Sequence, residues 1–204
     1  MVQNASPIPK QRGRRPGFER DVVVSAAVDA FWSKGFTATT LSDLEQATGV
    51  DRSTLYNSFD GKDGLYRAAT AAYVNRFEHE LFEPLFAGSD GIADIILFID
   101  RLDNMYRAST NTRGCLIVNG IASGADHEAT DRYLRFLQDG LRTALGRAAA
   151  AGGTDPTKTA QRSQLLSAAI IGINLLDCRT SDNAETLALI NSLRSEVTTW
   201  ATPN

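Results

Sequence analysis

The chain has 204 residues, 43% of them hydrophobic and 22% charged, with a formal net charge of −3, which suffices for a real core in one mid-sized domain or two small ones. The N-terminus lacks the charged-then-apolar pattern of a secretory leader, and the most apolar window, 165–176, contains Ser167, Gly172 and Asn174. It is too short and too polar to span a bilayer, so a cytoplasmic protein with no membrane partner is expected. Two cysteines and two histidines, scattered, give no metal-ligand spacing, and neither a Gly-rich phosphate loop nor a nucleophile elbow is present; the chain reads as no enzyme, with no cofactor or metal.

Residues 1–17 form a basic arm in which Lys10, Arg12, Arg14 and Arg15 precede the first acid, Glu19. Such an arm can neutralise phosphates or enter a minor groove. The first helix is expected over about 19–34, with Val24, Ala27, Val28 and Phe31 on one face and Gly35 as its stop. Thr40 and Asp43 have the spacing of a capping box, opening a second helix with an apolar stripe of Leu41, Leu44 and Thr48. Gly49 ends that helix, Val50 folds back as an apolar plug, and Asp51 caps a third helix that Leu55 and Phe59 pin inward.

That pinning leaves Arg52, Ser53, Thr54, Tyr56 and Asn57 outward. Arginine and asparagine can contact guanine and adenine edges bidentately, while hydroxyls suit phosphate oxygens. A helix of this size fits the major groove, and helix-turn-helix proteins lead with the N-terminal part of the second helix. The same spacing also suits an αα-corner with a solvated outer face. A fourth helix starts at Lys62 with Asp60 as its cap, and Lys62 lies where a DNA phosphate can bind. Residues 1–62 hold 8 Lys/Arg against 7 Asp/Glu and the remainder 13 against 17. DNA senses charge within about 8–10 Å, so the acidic remainder weighs little against binding.

An amphipathic helix ending in AFWSKGF, then TTLSDLEQATGV, then DRSTLYNSFDGKDGLY, resembles the N-terminal domain of the tetracycline-repressor (TetR) family of bacterial regulators over roughly residues 17 to 68. The resemblance implies an all-α homodimer that binds palindromic operator DNA as a repressor and releases it when a small-molecule effector enters its C-terminal domain. Carried over by position, it implies DNA contact by Thr40 and Ser42 at the second helix, by Arg52, Ser53, Thr54, Tyr56, Asn57 and Ser58 on the third, and by Lys62. Many members carry longer side chains at positions 42 and 58, which sets a limit on base reading by Ser42 and Ser58.

Beyond the match, the fourth helix repeats Tyr66, Tyr73, Phe77 and Leu81 until Pro84 breaks it. A helix over 91–108 follows, then a loop at 109–114 and a short helix or turn over 115–123. Longer helices over 128–151, 156–178 and 183–200 complete about nine, the last three marked by Gly152-Gly153, Asp155-Pro156 and an Asp182/Glu185 capping pair. The domain reading is an arm at 1–17, a three-helix helix-turn-helix domain at 18–62 and a larger helical ligand-binding and dimerisation domain at 63–204. Helix 156–178 is apolar nearly all round from Leu165 to Leu176, so it is buried on every side, either between its own core and a partner or as the central core helix of a monomer. With 183–200 it makes half of a two-fold four-helix interface.

The resemblance also implies a cavity among the intervening helices. Phe77, Phe86, Phe98, Leu102, Met105, Tyr106, Asn119, Tyr133 and Phe136 supply an apolar wall with a few polar points, suited to a neutral or aromatic effector. Cys115 follows Arg113 at a helix start, where a lowered thiol pKa would make it an electrophile sensor; burial would instead make it a small hydrophobe. The alternative to a regulator is a helical dimeric ligand-binding or interaction scaffold without DNA binding.

Overall fold

The computed structural model describes residues 18–108, 114–121, 127–177 and 183–201. The arm with Arg14 and Arg15, the Arg113 guanidinium and the Asp182 cap lie outside them. Among the described residues there are ten α-helices and no strand. The fold is all-α, with an N-terminal helix-turn-helix unit and a larger C-terminal helical domain.

α1 (Arg20–Ala38) leaves helical geometry at Gly35 (φ 76°, ψ 161°) and makes one further turn before Thr39. α2 (Leu41–Thr48) opens with the expected capping box: Thr40 Oγ1 accepts from Asp43 N–H at 3.2 Å, and Thr40 N–H donates to Asp43 Oδ2 at 2.8 Å. Gly49 closes it in the left-handed region, and Asp51 caps α3 (Arg52–Phe59) by accepting from Thr54 N–H at 2.7 Å. Asp60 departs from its expected role. It closes α3 at φ 65°, so its N–H points back to Leu55 and Tyr56 and its carboxylate caps nothing. α4 therefore begins at Gly61 and runs to Glu80.

Pro84 does more than stop that helix. It sits in the first turn of an additional short helix, α5 (Glu83–Ala87), where its missing N–H costs nothing. α6 (Ile92–Ala108), α7 (Leu116–Ile121) and α8 (His127–Ala150) follow. Asp155 caps as expected, but the turn it opens is 3-10 (Pro156–Lys158), and α9 (Thr159–Asp177) starts after it. α10 (Ala184–Thr199) is preceded by Asn183, which makes no side-chain cap and instead donates to Tyr106 O at 2.8 Å.

The core runs unbroken along α4. At its first turns, Leu65 and Tyr66 meet Phe31, Leu44 and Leu55 of the first three helices, with Phe31 and Tyr66 edge to face at 4.9 Å. Farther on, α5, α6 and α8 pack around Phe82, whose ring lies 5.6 Å from both Phe98 and Tyr133 and 6.3 Å from Phe136. Arg147 of α8 locks α5 to α6: one guanidinium nitrogen donates to Asp94 Oδ2 at 2.9 Å and Leu85 O at 3.0 Å. Asp94 also accepts from the Asp90 and Gly91 N–H groups, so its charge is met from three sides.

Candidate nucleic-acid interface

Leu55 (0% exposed) and Phe59 (5%) fasten α3 to the core, and the opposite face stands free. Arg52, Ser53, Tyr56 and Asn57 are exposed there, with Thr54 and Ser58 half-buried. Thr40 and Ser42 are exposed at the start of α2. Tyr56 is 55% exposed, and its ring lies across Gly61. A Cβ at position 61 would stand 2.9 Å from that ring, and φ there is +77°, so glycine is required on both counts.

The third helix starts on two carboxylates. Glu45 Oε1 accepts from Arg52 N–H at 2.8 Å while its other oxygen stands 4.0 Å from the Arg52 guanidinium. Sequence reasoning missed Glu45, because the contact spans the turn and no intrahelical spacing relates residues seven apart. It also missed Arg20, which donates to Ser58 O at 2.9 Å and lies over the Phe59 ring at 4.3 Å, tying the start of α1 to the end of α3. Lys62 is half-buried: its ammonium sits 4.4 Å from the centre of the Phe36 ring and 3.5 Å from Thr37 O. Asp43 is held below the usual carboxylate range, first by Lys34, whose ammonium lies at 2.5 Å, and then by the Thr40 N–H and hydroxyl.

Residues 23–69, which contain this helix pair, match the family described as bacterial regulatory proteins, tetR family. Over these residues the chain is similar to that family. Among curated relatives it is 33% identical over 113 residues to the HTH-type transcriptional repressor ComR of Escherichia coli (strain K12), a match taking in 55% of this chain and 54% of ComR. The chain thus spans about half the length of that relative. It is 26% identical over 133 residues to the E. coli HTH-type transcriptional repressor BdcR, covering 63% of this chain and 67% of that one. Of solved structures, a cysteine mutant of the TetR family transcriptional regulator CifR, complexed with 26bp double-strand operator DNA, shares the fold at TM-score 0.75 and 20% identity, over 90% of this chain and 98% of the other. Reduced E. coli NemR does so at 0.77 and 20%, over 91% and 97%.

The residues expected around an effector separate into two places in this chain. Phe98, Leu102, Tyr106 and Tyr133 are buried, with Phe136 and Asn119 half-buried. The rings of Phe98, Tyr133 and Phe136 surround Phe82, and Phe86 stacks edge-on with Phe136 at 5.5 Å. Phe77 and Met105 instead line an open cleft of about 630 Å³ bounded by α1, α4 and α6. For Cys115 the sequence leaves an electrophile sensor and a buried small hydrophobe both open. The residue is 3% exposed, and burial pushes its thiol up, against hydrogen bonds from Val118, Tyr73, Ile117 and Tyr133 that pull the other way. A helix start lowers a thiol pKa only where solvent or a cation can support the thiolate.

One polar thread joins the helix-turn-helix unit to the last two helices. Trp32 Nε1 of α1 donates to Gly114 O at 2.9 Å, Gly114 N–H donates to Asp177 Oδ2 at 2.8 Å, and Asp177 Oδ1 accepts from Thr186 of α10 at 2.9 Å. Gly114 has φ +60°, and a Cβ there would fall 2.2 Å from Asn174 O. Nothing larger lets the loop approach α9 this closely. Among the described residues no group of three potential metal ligands comes together, and no helix is long and apolar enough to cross a membrane.

Proposed function

We propose that this chain is a sequence-specific, cytoplasmic transcriptional repressor that binds palindromic operator DNA as a homodimer and leaves it when a small-molecule effector binds. The free outer face of α3, backed by Leu55 and Phe59, carries the reading. Residues 18–62 act as the DNA-binding unit and 63–204 as the regulatory one. Arg52 and Asn57 read base edges, while Ser53, Thr54, Tyr56, Thr40, Ser42 and Lys62 hold the backbone. The dimer pairs through α9 and α10, and the support for this is the outward face of α9, where Leu165, Leu175 and Leu176 are 57%, 45% and 44% exposed. Apolar surface of this kind on helices at the rim of a domain marks an interaction face. DNA and effector then favour different dimer geometries, and each weakens the other by the same factor, typically about 5–150-fold.

Gel shift against the intergenic DNA upstream of the gene, at two salt concentrations, tests this. A sequence preference and a negative salt slope are expected. Tyr56→Ala weakens binding to operator and random DNA alike, whereas Arg52→Ala or Asn57→Ala narrows the difference between them. Equal affinity of the unaltered protein for every DNA would overturn the proposal.

A further inference from the structure

The cleft between α1, α4 and α6 has a chemistry of its own. Its apolar wall comes from Trp32, Phe77, Leu81 and Met105. Along α1 and α4 it continues into a smaller recess of about 290 Å³ that Asp21 and Asp29 also line. Each volume is near or within the range that accommodates a drug-sized molecule and too small for a docked helix.

The charges around this cleft are not equally available. Arg76 is held by Glu80 at 2.8 Å, and Arg101 is held by Glu83 at 2.9 Å and by the Glu80 carbonyl at 3.1 Å. Both guanidiniums are already matched by acids. Asp21 and Asp29, about two turns apart on the exposed side of α1, have no ion pair or hydrogen bond among the described residues. The unspent charge is negative. It borders the face of an indole, a phenyl ring and a thioether, which together favour a flat, polarisable cation over an anion or a neutral polar molecule.

We propose that this cleft is a binding site for a small organic cation with an aromatic body, its ring against Trp32 and Met105 and its charge toward Asp29 and Asp21. The site is separate from the aromatic cluster around Phe82. Its walls belong both to the helix that frames the DNA-reading unit and to α6, so an occupant props α1 against the rest of the protein. An effect of this on DNA rests on the repressor reading; binding itself does not.

The test is made without DNA, so its failure is distinct from failure of that reading. The chain has two tryptophans, and Trp200→Phe leaves Trp32 as the sole indole reporter. Titration with N-benzylpyridinium, a quencher of indole fluorescence, should give saturable quenching, while benzenesulfonate at equal concentration should give none. Asp29→Asn should weaken the cation by about two- to fivefold, the range of an exposed ion pair, and Asp21→Asn/Asp29→Asn by more. Asp63→Asn, on the outer side of α4, should leave the curve unchanged. If Trp200→Phe does not fold, calorimetric titration of the unaltered chain with the same two probes gives the same comparison. Quenching that stays linear with concentration, equal binding of both probes, or an Asp29→Asn curve identical to the parent's overturns the proposal.

Discussion

Trp32 and Gly114 lie 82 positions apart in the chain, yet the indole N–H of one meets the carbonyl of the other at 2.9 Å. Through Asp177 this bond reaches α9 and α10, the helices proposed to pair two subunits. Gly114 thus bonds α1 on one side and α9 on the other. Trp32→Phe keeps an aromatic ring beside Tyr73 but removes the donor and part of the ring volume. Unfolding by urea should show a loss of at least about 1 kcal/mol, the net worth of the hydrogen bond, with the lost packing added to it. If the repressor reading holds, the mutant should also show weaker coupling between effector and DNA.

Arg147 offers a sharper stability test. It binds Asp94 and three backbone carbonyls at the junction of α5, α6 and α8. Arg147→Met leaves the buried Asp94 carboxylate without its cation, at a cost of about 3 kcal/mol. Arg147→Lys should recover less than half of this, because a single ammonium cannot reach carboxylate and carbonyls at once. Denaturation midpoints at constant slope would establish both values; a loss below that of an ordinary surface substitution would show the clamp to be idle.

The acid limb of the stability profile should contain the α2 capping box. Asp43 is depressed in the folded chain, so its contribution is present above its unfolded pKa of about 3.9 and disappears as pH falls below that value toward the folded one. Asp43→Asn should therefore be less stable than the parent at pH 7. The two curves should draw together below about pH 4. Parallel curves through that window would mean that the carboxylate charge is not what stabilises the cap.

Leu165→Glu combined with Leu176→Glu places two charges on the outward face of α9, where neither side chain supports the core of its own subunit. Sedimentation at micromolar concentration should show a monomer with unchanged helical content and greatly weakened operator binding. A dimer that survives both substitutions would move the interface elsewhere.

Local chemistry made the helix-turn-helix legible in the sequence: Thr40 with Asp43, Gly49, and Asp51 are each stop or start signals acting over three or four residues, and all three are in place. Periodicity did the same for the buried faces, since Phe31, Leu44, Leu55 and Tyr66 each repeat with their neighbours at helical spacing and all are inside. Contacts between distant segments carry no such signal. Glu45 against Arg52, Arg20 against Ser58, and Trp32 against Gly114 depend on how helices cross. Cys115 illustrates the difference most plainly. Its position at a helix start was readable and argued for a lowered pKa, but the tyrosines and apolar helices closing over it made burial the larger effect. The sequence by itself thus determined which segments coil and which faces turn inward, because those follow from hydrogen bonds and side-chain spacing within one or two turns. The charge environment of each group and the cleft beside α1 were decided by tertiary packing, because desolvation and cavity shape depend on atoms that chain order does not bring together.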